Sequence, residues 1–315
     1  MNRADTAALE RTEVKRVLPA QDATELVGTD VGERVPNVTA PTVFTDAETS
    51  DPVLAYLPLG DVADLRRAVR AVDIRETYRA ASGRRNASRV FGWSPRRPVQ
   101  RREACNSTSF AKEQPAEQAT LDAYAVRLLD MLRGIDPTIA DRDEETMREV
   151  LPEWKMAGTT WTSGVVNQNS QLPYHRDGFN FPTWSAMPVI RRACDGGHLH
   201  LPEYDLTVAC RDGWAVFFCG HALVHGVTPM RLTRSDGYRF SVVYYALRGM
   251  KDCHTFAEET RTAQVRRTER ERTMAAGQGF AADPRAHTIT PAPPLLLPSE
   301  ADVAAGPDDP ALMAP

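Results

Sequence analysis

The spacing of apolar residues changes character near residue 156. Before it, apolar residues recur at helical intervals over Asp61–Val72, Ala116–Ile135 and Glu144–Val150, and Pro137 is placed to stop the second of these helices. After it, short runs rich in β-branched and aromatic residues are separated by Gly, Pro, Asn and Asp. The pattern therefore predicts helices first and then many short strands.

Many short strands with turn residues between them are typical of a barrel or a double-sheet jelly roll. We therefore expect an α+β fold, in which N-terminal helices pack on a jelly-roll core within a single domain over 51–255. The helical part is expected at 51–155 and the jelly-roll core at 156–250. Outside this domain we expect a mostly irregular leader at 1–50, an Arg- and Glu-rich surface helix at 256–280 and a flexible Pro/Ala-rich tail at 281–315.

Composition narrows the class of protein. The 315 residues are enough for a well-buried core, and a net charge of −4 provides no global sign of nucleic-acid binding. No apolar run approaches the length that spans a bilayer, and the N-terminus lacks the apolar core of a signal peptide. We expect a soluble protein of the cytoplasm (of the host cytoplasm if a phage encodes it) with no membrane partner.

The cysteines predict reduced thiols. There are 5 of them, an odd number, and none forms a C-x-x-C pair. A disulfide framework or a structural zinc site is therefore not expected.

One segment is strongly basic, although the chain as a whole has a negative net charge. Arg84–Arg102 contains seven arginines and no acid, with aromatic residues between them. Arginine interleaved with aromatics suits contact with phosphates together with base stacking, and a solvated basic loop is the alternative interpretation. The candidate substrate contacts in this segment are Arg84, Arg85 and Arg89.

A metal site is indicated by the sequence LPYHRDGFNF over 172–181. His175 and Asp177 are two residues apart, so on a strand their side chains point to the same side. Two histidines and one carboxylate on one face of a metal leave three positions open, which is typical of non-haem Fe(II) oxygenases. For the third ligand we choose His225, because it begins His-Gly-Val-Thr-Pro where the chain re-enters the sheet. His221 lies beside a turn glycine and is expected either at the surface or next to the ligands without binding the metal.

A binding site for an anion is predicted at Arg239, fourteen residues after His225, in the strand that begins Tyr-Arg-Phe-Ser. Arg239 and Ser241 share one face of this strand. A guanidinium inside a barrel is costly without a carboxylate partner, and a bound dicarboxylate would supply a bidentate one. The alternative is an arginine at a strand edge that pairs with an acidic side chain.

A rival metal site is His198-x-His200 with Glu203 close by. Some β-barrel metal sites combine H-x-H with a glutamate. Pro202 interrupts the strand before Glu203, and the spacing is short, so we expect Leu199 to face the core and both histidines to face away from it. The sequence therefore favours the first set of ligands.

The order H-x-D, GG-x-L-x-LPE, a strand into HGVTP, and R-x-S resembles the 2-oxoglutarate-dependent dioxygenase superfamily. The flanking motifs FGW-x-PR at Phe91, TSG-x-VNQNS over 162–170, YHRDGFNF and RFSVVYY resemble the TET/JBP group, including its small phage and bacterial types. That group oxidises the 5-methyl group of pyrimidines in DNA. The resemblance spans about Phe91 to Leu247.

The resemblance implies a double-stranded β-helix (jelly-roll) core and Fe(II), 2-oxoglutarate and O2 as cofactors and co-substrates. It implies that His175, Asp177 and His225 are the catalytic iron ligands and that Arg239 and Ser241 contact 2-oxoglutarate. Asn180 matches a polar position and is a candidate substrate contact.

The implied substrate is a base flipped out of DNA, with 5-methylcytosine converted to 5-hydroxymethylcytosine. Alternatives are thymine in DNA, a small molecule or a protein side chain, or a non-catalytic binding module on the same barrel. The cysteine-rich region of the animal enzymes and a separate DNA-binding domain are both absent from the sequence, and no protein partner is deducible from it.

Overall fold

The structure, a computed structural model, describes residues 9–79, 84–96 and 104–276. Within these ranges a ten-stranded sheet packs helices on one face and a three-stranded sheet on the other, so the predicted α+β jelly roll is confirmed. The strands are β1 (Arg11–Val14), β2 (Thr42–Asp46), β3 (Pro52–Pro58), β4 (Arg75–Arg79), β5 (Arg84–Ser94), β6 (Asn106–Ser107), β7 (Ser163–Gln168), β8 (Ser185–Arg192), β9 (Cys194–Gly196), β10 (Leu199–Leu201), β11 (Leu206–Val208), β12 (Trp214–Phe218), β13 (Gly226–Val227), β14 (Met230–Leu232) and β15 (Tyr238–Tyr245).

The helices of the described ranges come mainly before and after the strands of the core. They are α1 (Ala20–Thr24), α2 (Ala63–Ala71), α3 (Ser109–Glu113), α4 (Pro115–Ile135), α5 (Pro137–Thr146) and α6 (Phe256–Ala275). Helices α2 and α4 match the periodicity to within two residues at each end. The helix expected at Glu144–Val150 instead begins at Pro137 and is followed by a 3-10 turn, because the Asp136 carboxylate caps a new helix with proline in its first turn.

The large sheet runs in the order β1-β2-β3-β12-β8-β15-β7-β5-β4, with β6 paired to β5. The small sheet runs β11-β10-β13, and a short ribbon pairs β9 with β14. The two main sheets enclose an apolar layer that includes Val189, Leu199, Leu201, Val216 and Phe218. The interior of the jelly roll lies between them.

Strand β15 separates the two faces of the large sheet. Its even-numbered residues, among them Tyr244, pack under the helices, and the Tyr244 hydroxyl donates to the Leu121 carbonyl of α4 at 3.0 Å. Because side chains alternate along a strand, the odd-numbered residues point into the jelly roll. Ser241, Val243 and Tyr245 accordingly line a cavity there.

The leader expected to be mostly irregular contributes strands to the large sheet. β1 pairs in parallel with β2, and β2 pairs with β3. Most of the described residues over 9–50 still lie outside helices and strands, so the mostly irregular leader stays a prediction. The pattern did not reveal β1 and β2, because such short strands are specified by their partner strand and carry little pattern of their own. Residues 1–8 lie outside the described ranges.

Cys105 and Cys253 form a disulfide with a Cα–Cα distance of 5.9 Å, so the expectation of reduced thiols was wrong for this pair. The two cysteines are 148 residues apart, and no local spacing signals such a pairing. Cys194, Cys210 and Cys219 are free.

Helix α6 lies within the segment expected as a surface helix, and residues 277–280 together with the tail expected at 281–315 lie outside the described ranges. Its N-terminus carries a capping box between Thr255 and Glu258. Glu259 is the buried residue of this otherwise exposed or half-buried helix. Its carboxylate accepts the backbone N–H groups of Cys105 and His254, each at 2.9 Å. No helix among the described residues is long and apolar enough to cross a membrane.

Asp143 on α5 is expected to make folding pH-dependent. Its buried carboxylate accepts the Trp184 N–H at 2.9 Å, and burial raises the pKa of Asp143 to about 7. The folded state then keeps a proton that the unfolded chain loses near pH 4, so stability falls by about 1.4 kcal/mol per pH unit between those values. The Asp143→Asn variant lacks this loss. Urea unfolding of both metal-free proteins at about pH 5 and about pH 8 checks this, and equal pH dependence would contradict it.

Candidate metal and co-substrate site

Three side chains of the kinds that bind iron converge at the interior edge of the small sheet. One possible ligand atom from each of His175, Asp177 and His225 lies within 4.8 Å of the others. The two histidines face each other across an antiparallel bridge, with N–H···O distances of 2.8 and 3.0 Å. All three are buried. The expectation that a distant histidine completes the H-x-D pair is matched by this geometry.

Backbone carbonyls orient both imidazole rings. The Nδ1 atom of His175 lies 2.9 Å from the Pro173 carbonyl, and that of His225 lies 3.0 Å from the Leu223 carbonyl. A carbonyl can only accept a hydrogen bond, so each Nδ1 carries the proton. Each Nε2 therefore keeps its lone pair, which is the tautomer that a metal ligand requires.

Because Gly220 has no side chain, it leaves space for the Asp177 carboxylate. The Gly220 carbonyl accepts the Asp177 N–H at 3.0 Å, which brings the turn after β12 against the ligand loop. A Cβ atom at Gly220 would lie 2.4 Å from Oδ2 of Asp177 and 3.3 Å from Cε1 of His225. From the sequence, Gly220 was predicted only as a turn residue and not as part of the site.

We expect Gly220→Ala to weaken metal binding with little effect on folding. Its φ angle is not in the left-handed region, so alanine fits the backbone, but its methyl group displaces the Asp177 carboxylate. Affinity for Co(II), a spectroscopic substitute for Fe(II), is expected to fall about 10-fold or more. The matched control is Gly32→Ala, where a Cβ meets nothing within 4 Å. Equal Co(II) affinity in the two variants would contradict the prediction.

Arg239 lies on β15 with its side chain fully buried, at 0 % exposure. None of its three guanidinium nitrogens has a hydrogen-bond partner among the described residues. Burial lowers the pKa of this guanidinium, and the neighbouring Cys210 thiol opposes that effect. The alternative of a strand-edge arginine paired with an acidic side chain does not apply. An unpaired cation in the interior is costly unless an anion joins it.

Gly197 makes room for this arginine. It has a φ angle of +66°, and a Cβ atom there would lie 2.8 Å from Cδ of Arg239 and 2.9 Å from its Nε. On the opposite side the Asn169 side chain accepts the Arg239 backbone N–H at 2.8 Å. The guanidinium is therefore held in place by packing and by the backbone.

A cavity opens over His175, Asp177 and His225, and the space inside it is about 560 Å³ when the open solvent at its mouth is included. Its polar lining consists of Asn167, His175, Asp177, Asn180, His225, Ser241 and Tyr245. Its apolar lining consists of Val165, Leu172, Met187, Leu199, Phe218, Val227 and Val243.

Among the candidate substrate contacts, Asn180 reaches this cavity. Its side chain is 3 % exposed, and its Oδ1 atom has no hydrogen-bond partner among the described residues. Arg84 and Arg85 lie on β5, and their side chains are outside what the structure describes.

Arg89 does not lie on an exposed basic surface. Its side chain is 5 % exposed and forms an ion pair with Glu113 at the end of α3. The expected phosphate contact of Arg89 is therefore corrected to an ion pair between a buried guanidinium and a half-exposed carboxylate. The aromatic residues of the same segment are also turned inward: Phe91 is buried in the core, and Trp93 packs edge-on against Trp154.

The rival H-x-H site does not form. Nδ1 of His198 lies 2.8 Å from the Ala209 carbonyl, and the buried His200 contacts the Tyr174 hydroxyl at 2.6 Å. The Glu203 carboxylate points elsewhere, toward Arg176. His221, expected either at the surface or next to the ligands, is half-buried and contacts the Asp177 carbonyl through Nδ1 at 3.3 Å.

The fold and the site define a jelly-roll protein with a buried cluster of two histidines and one carboxylate. Among solved structures, the chain is similar to NgTET1 in complex with 5mC DNA, at 15% sequence identity and a TM-score of 0.52, over 79% of this chain and 90% of that one. The TET-like fold expected from the motifs is thus confirmed. A 2OG-Fe(II) oxygenase family oxidoreductase from Burkholderia pseudomallei is similar at 16% identity and a TM-score of 0.41, over 76% of this chain and 99% of that one.

A Pseudomonas putida prolyl-4-hydroxylase is similar at 15% identity and a TM-score of 0.36, over 62% of this chain and 92% of that one. No protein-family model and no curated protein sequence matches the chain.

Proposed function

We propose that this chain is an Fe(II)- and 2-oxoglutarate-dependent dioxygenase that hydroxylates the 5-methyl group of a pyrimidine in DNA, with 5-methylcytosine as the substrate. The observation that carries the proposal is the buried guanidinium of Arg239 without a partner, on the same strand face as the cavity-lining Ser241. A dicarboxylate co-substrate supplies the missing partner as a bidentate carboxylate.

The residues present fit both groups. His175 and His225 offer Nε2 lone pairs and Asp177 offers a carboxylate, the donor set that suits Fe(II) with open coordination positions. Arg239 and Ser241 would hold the far carboxylate of 2-oxoglutarate. When bound, iron together with 2-oxoglutarate and O2 supplies the oxidising power that hydroxylates a C–H bond.

The protein itself contributes position and exclusion of water. The fixed tautomers of His175 and His225 keep both ligands ready without reorganisation. The apolar walls of the cavity keep water away from a bound base. A base in a duplex must be flipped out to enter, and the resemblance to NgTET1, which was solved with 5mC DNA, supports DNA as the source of that base.

Asn180 is proposed to select the base. Its unpaired Oδ1 is an acceptor that suits the 4-amino group of cytosine, whereas thymine presents an oxygen there. We expect Asn180→Ala to lower kcat/KM for DNA containing 5-methylcytosine about 10- to 100-fold, because it removes a buried hydrogen bond. The KM for 2-oxoglutarate should change little, and a loss confined to that KM would contradict the role.

The function is tested by mass spectrometry of nucleosides after incubating DNA that contains 5-methylcytosine with the protein, Fe(II), ascorbate and 2-oxoglutarate. Succinate is followed in parallel. Formation of 5-hydroxymethylcytosine supports the proposal, and 5-hydroxymethyluracil would redirect it to thymine. Succinate without an oxidised base would support the dioxygenase assignment but contradict DNA as the substrate. It would favour a small molecule or a protein side chain as the substrate.

A further inference from the structure

A buried glutamate outside the cavity contacts the segment that carries one metal ligand. Glu203 has 0 % exposure and lies in the 3-10 turn Pro202–Tyr204 that follows β10. Its Oε1 atom accepts the backbone N–H of Val224 at 2.9 Å. Val224 directly precedes His225, so this hydrogen bond fixes the backbone from which that imidazole extends.

The same oxygen reaches the segment that carries the other two ligands. Oε1 of Glu203 lies 3.4 Å from Nη2 of Arg176; the Glu203 side chain is fully buried and that of Arg176 is 11% exposed. Arg176 stands between His175 and Asp177 in sequence, and its side chain points away from the cavity that its neighbours line. One carboxylate oxygen thus joins the two segments from behind the site.

The turn also receives the N-terminal segment. The Glu203 backbone carbonyl accepts the N–H groups of Val17 and Leu18 at 2.8 and 3.2 Å, and Nη2 of Arg176 donates to the Ala20 carbonyl at 3.0 Å. Beneath this segment lies a small apolar cluster of Ala23, Val31, Tyr174 and Val224. The outer side of the metal site is therefore closed by residues 17–31.

The Glu203–Arg176 pair is not arranged for stability alone. Oε2 of Glu203 and Nε of Arg176 are both buried without a hydrogen-bond partner among the described residues. Buried ion pairs with unsatisfied atoms contribute little net stability, and apolar replacements are often as stable. What the pair does provide is a fixed distance between the Val224 backbone and Arg176.

We propose that Glu203 is a positioning residue for the metal site: it sets the spacing between the segment of His175 and Asp177 and the segment of His225. The proposal rests on the proposed function only as far as the metal site itself and is independent of the substrate. Residues that orient metal ligands from outside raise affinity by presetting ligand geometry.

The test is a Co(II) titration of the metal-free protein, followed by the visible absorption of the bound ion. For Glu203→Ala we expect the affinity to fall about 10- to 100-fold and the absorption band to shift. Glu203→Gln keeps the volume and the acceptor for the Val224 N–H but loses the charge that faces Arg176. Its affinity is expected to lie between those of Glu203→Ala and the wild type.

The matched control is Glu259→Ala. Glu259 is equally buried, accepts two backbone N–H groups and pairs with Arg96 at 3.3 Å, yet it contacts neither ligand segment. We expect it to lower the free energy of unfolding while its Co(II) affinity stays within about twofold of wild type.

Wild-type Co(II) affinity in folded Glu203→Ala overturns the proposal, as does an equal loss of affinity in Glu259→Ala. If Glu203→Ala does not fold, Glu203→Gln decides: unchanged affinity overturns the proposal and reduced affinity supports it. Failure of the wild-type protein to bind Co(II) would instead overturn the metal site and the proposed function with it.

Discussion

Replacing Asp177 with alanine is expected to abolish turnover of 2-oxoglutarate and any DNA oxidation. Asp177 supplies the one carboxylate among the three converging side chains. Its negative charge partly neutralises a bound divalent cation, which two neutral imidazoles cannot do. Loss of a residue that merely orients a ligand costs about 10- to 100-fold in affinity, so loss of the ligand itself should cost more than about 100-fold.

The measurement combines Fe(II) affinity, succinate formation and DNA binding in the same preparation. The Asp177→Ala protein should fold, release succinate no faster than a metal-free control, and still bind DNA. Asp177→Asn keeps the shape and loses the charge, so it should lose iron as well. Full activity of Asp177→Ala would remove the iron assignment.

Replacing Arg239 with methionine is expected to have effects of opposite sign with and without 2-oxoglutarate. In the protein without a co-substrate the guanidinium is buried and unpaired, so an apolar side chain of similar length should raise the free energy of unfolding by about 1 kcal/mol or more. With 2-oxoglutarate the same change removes a buried charge pair. That costs about 2 to 5 kcal/mol of binding free energy, roughly a 30-fold to several-thousand-fold rise in Kd.

Thermal unfolding with and without 2-oxoglutarate separates the two effects. The co-substrate should raise the Tm of the wild type and leave that of Arg239→Met almost unchanged. 2-Oxobutyrate, which lacks the far carboxylate, serves as the matched ligand: the wild type should discriminate strongly against it, and the variant should not. Undiminished discrimination by Arg239→Met would show that the carboxylate is held elsewhere.

Local patterns were sufficient for the features that depend on near neighbours in the chain. The apolar spacing over Ala116–Ile135 predicted α4 because the buried face of a helix repeats every three to four residues. The two-residue spacings of His175 with Asp177 and of Arg239 with Ser241 placed each pair on one side of its segment, because successive side chains in extended chain alternate.

Features that join distant residues could not be obtained in this way. The ion pair of Arg89 with Glu113 and the disulfide between Cys105 and Cys253 both join residues that only the folded chain brings together. The same holds for Glu203, which the sequence offered as a rival metal ligand and which lies behind the site against Val224. A side chain's partners follow from the packing of all its neighbours, which no local spacing records.

The sequence by itself determined the order of helices and strands, the pairs of polar residues that share a face, and the resemblance that unites them. The tertiary structure alone decided that His175 and His225, fifty residues apart, face each other across one bridge. It also decided that Arg239 is buried without an acidic partner, which is the property on which its proposed role as an anion site rests. The physical reason is that hydrogen bonding and burial depend on every group that packs around an atom, and those groups come from the whole fold.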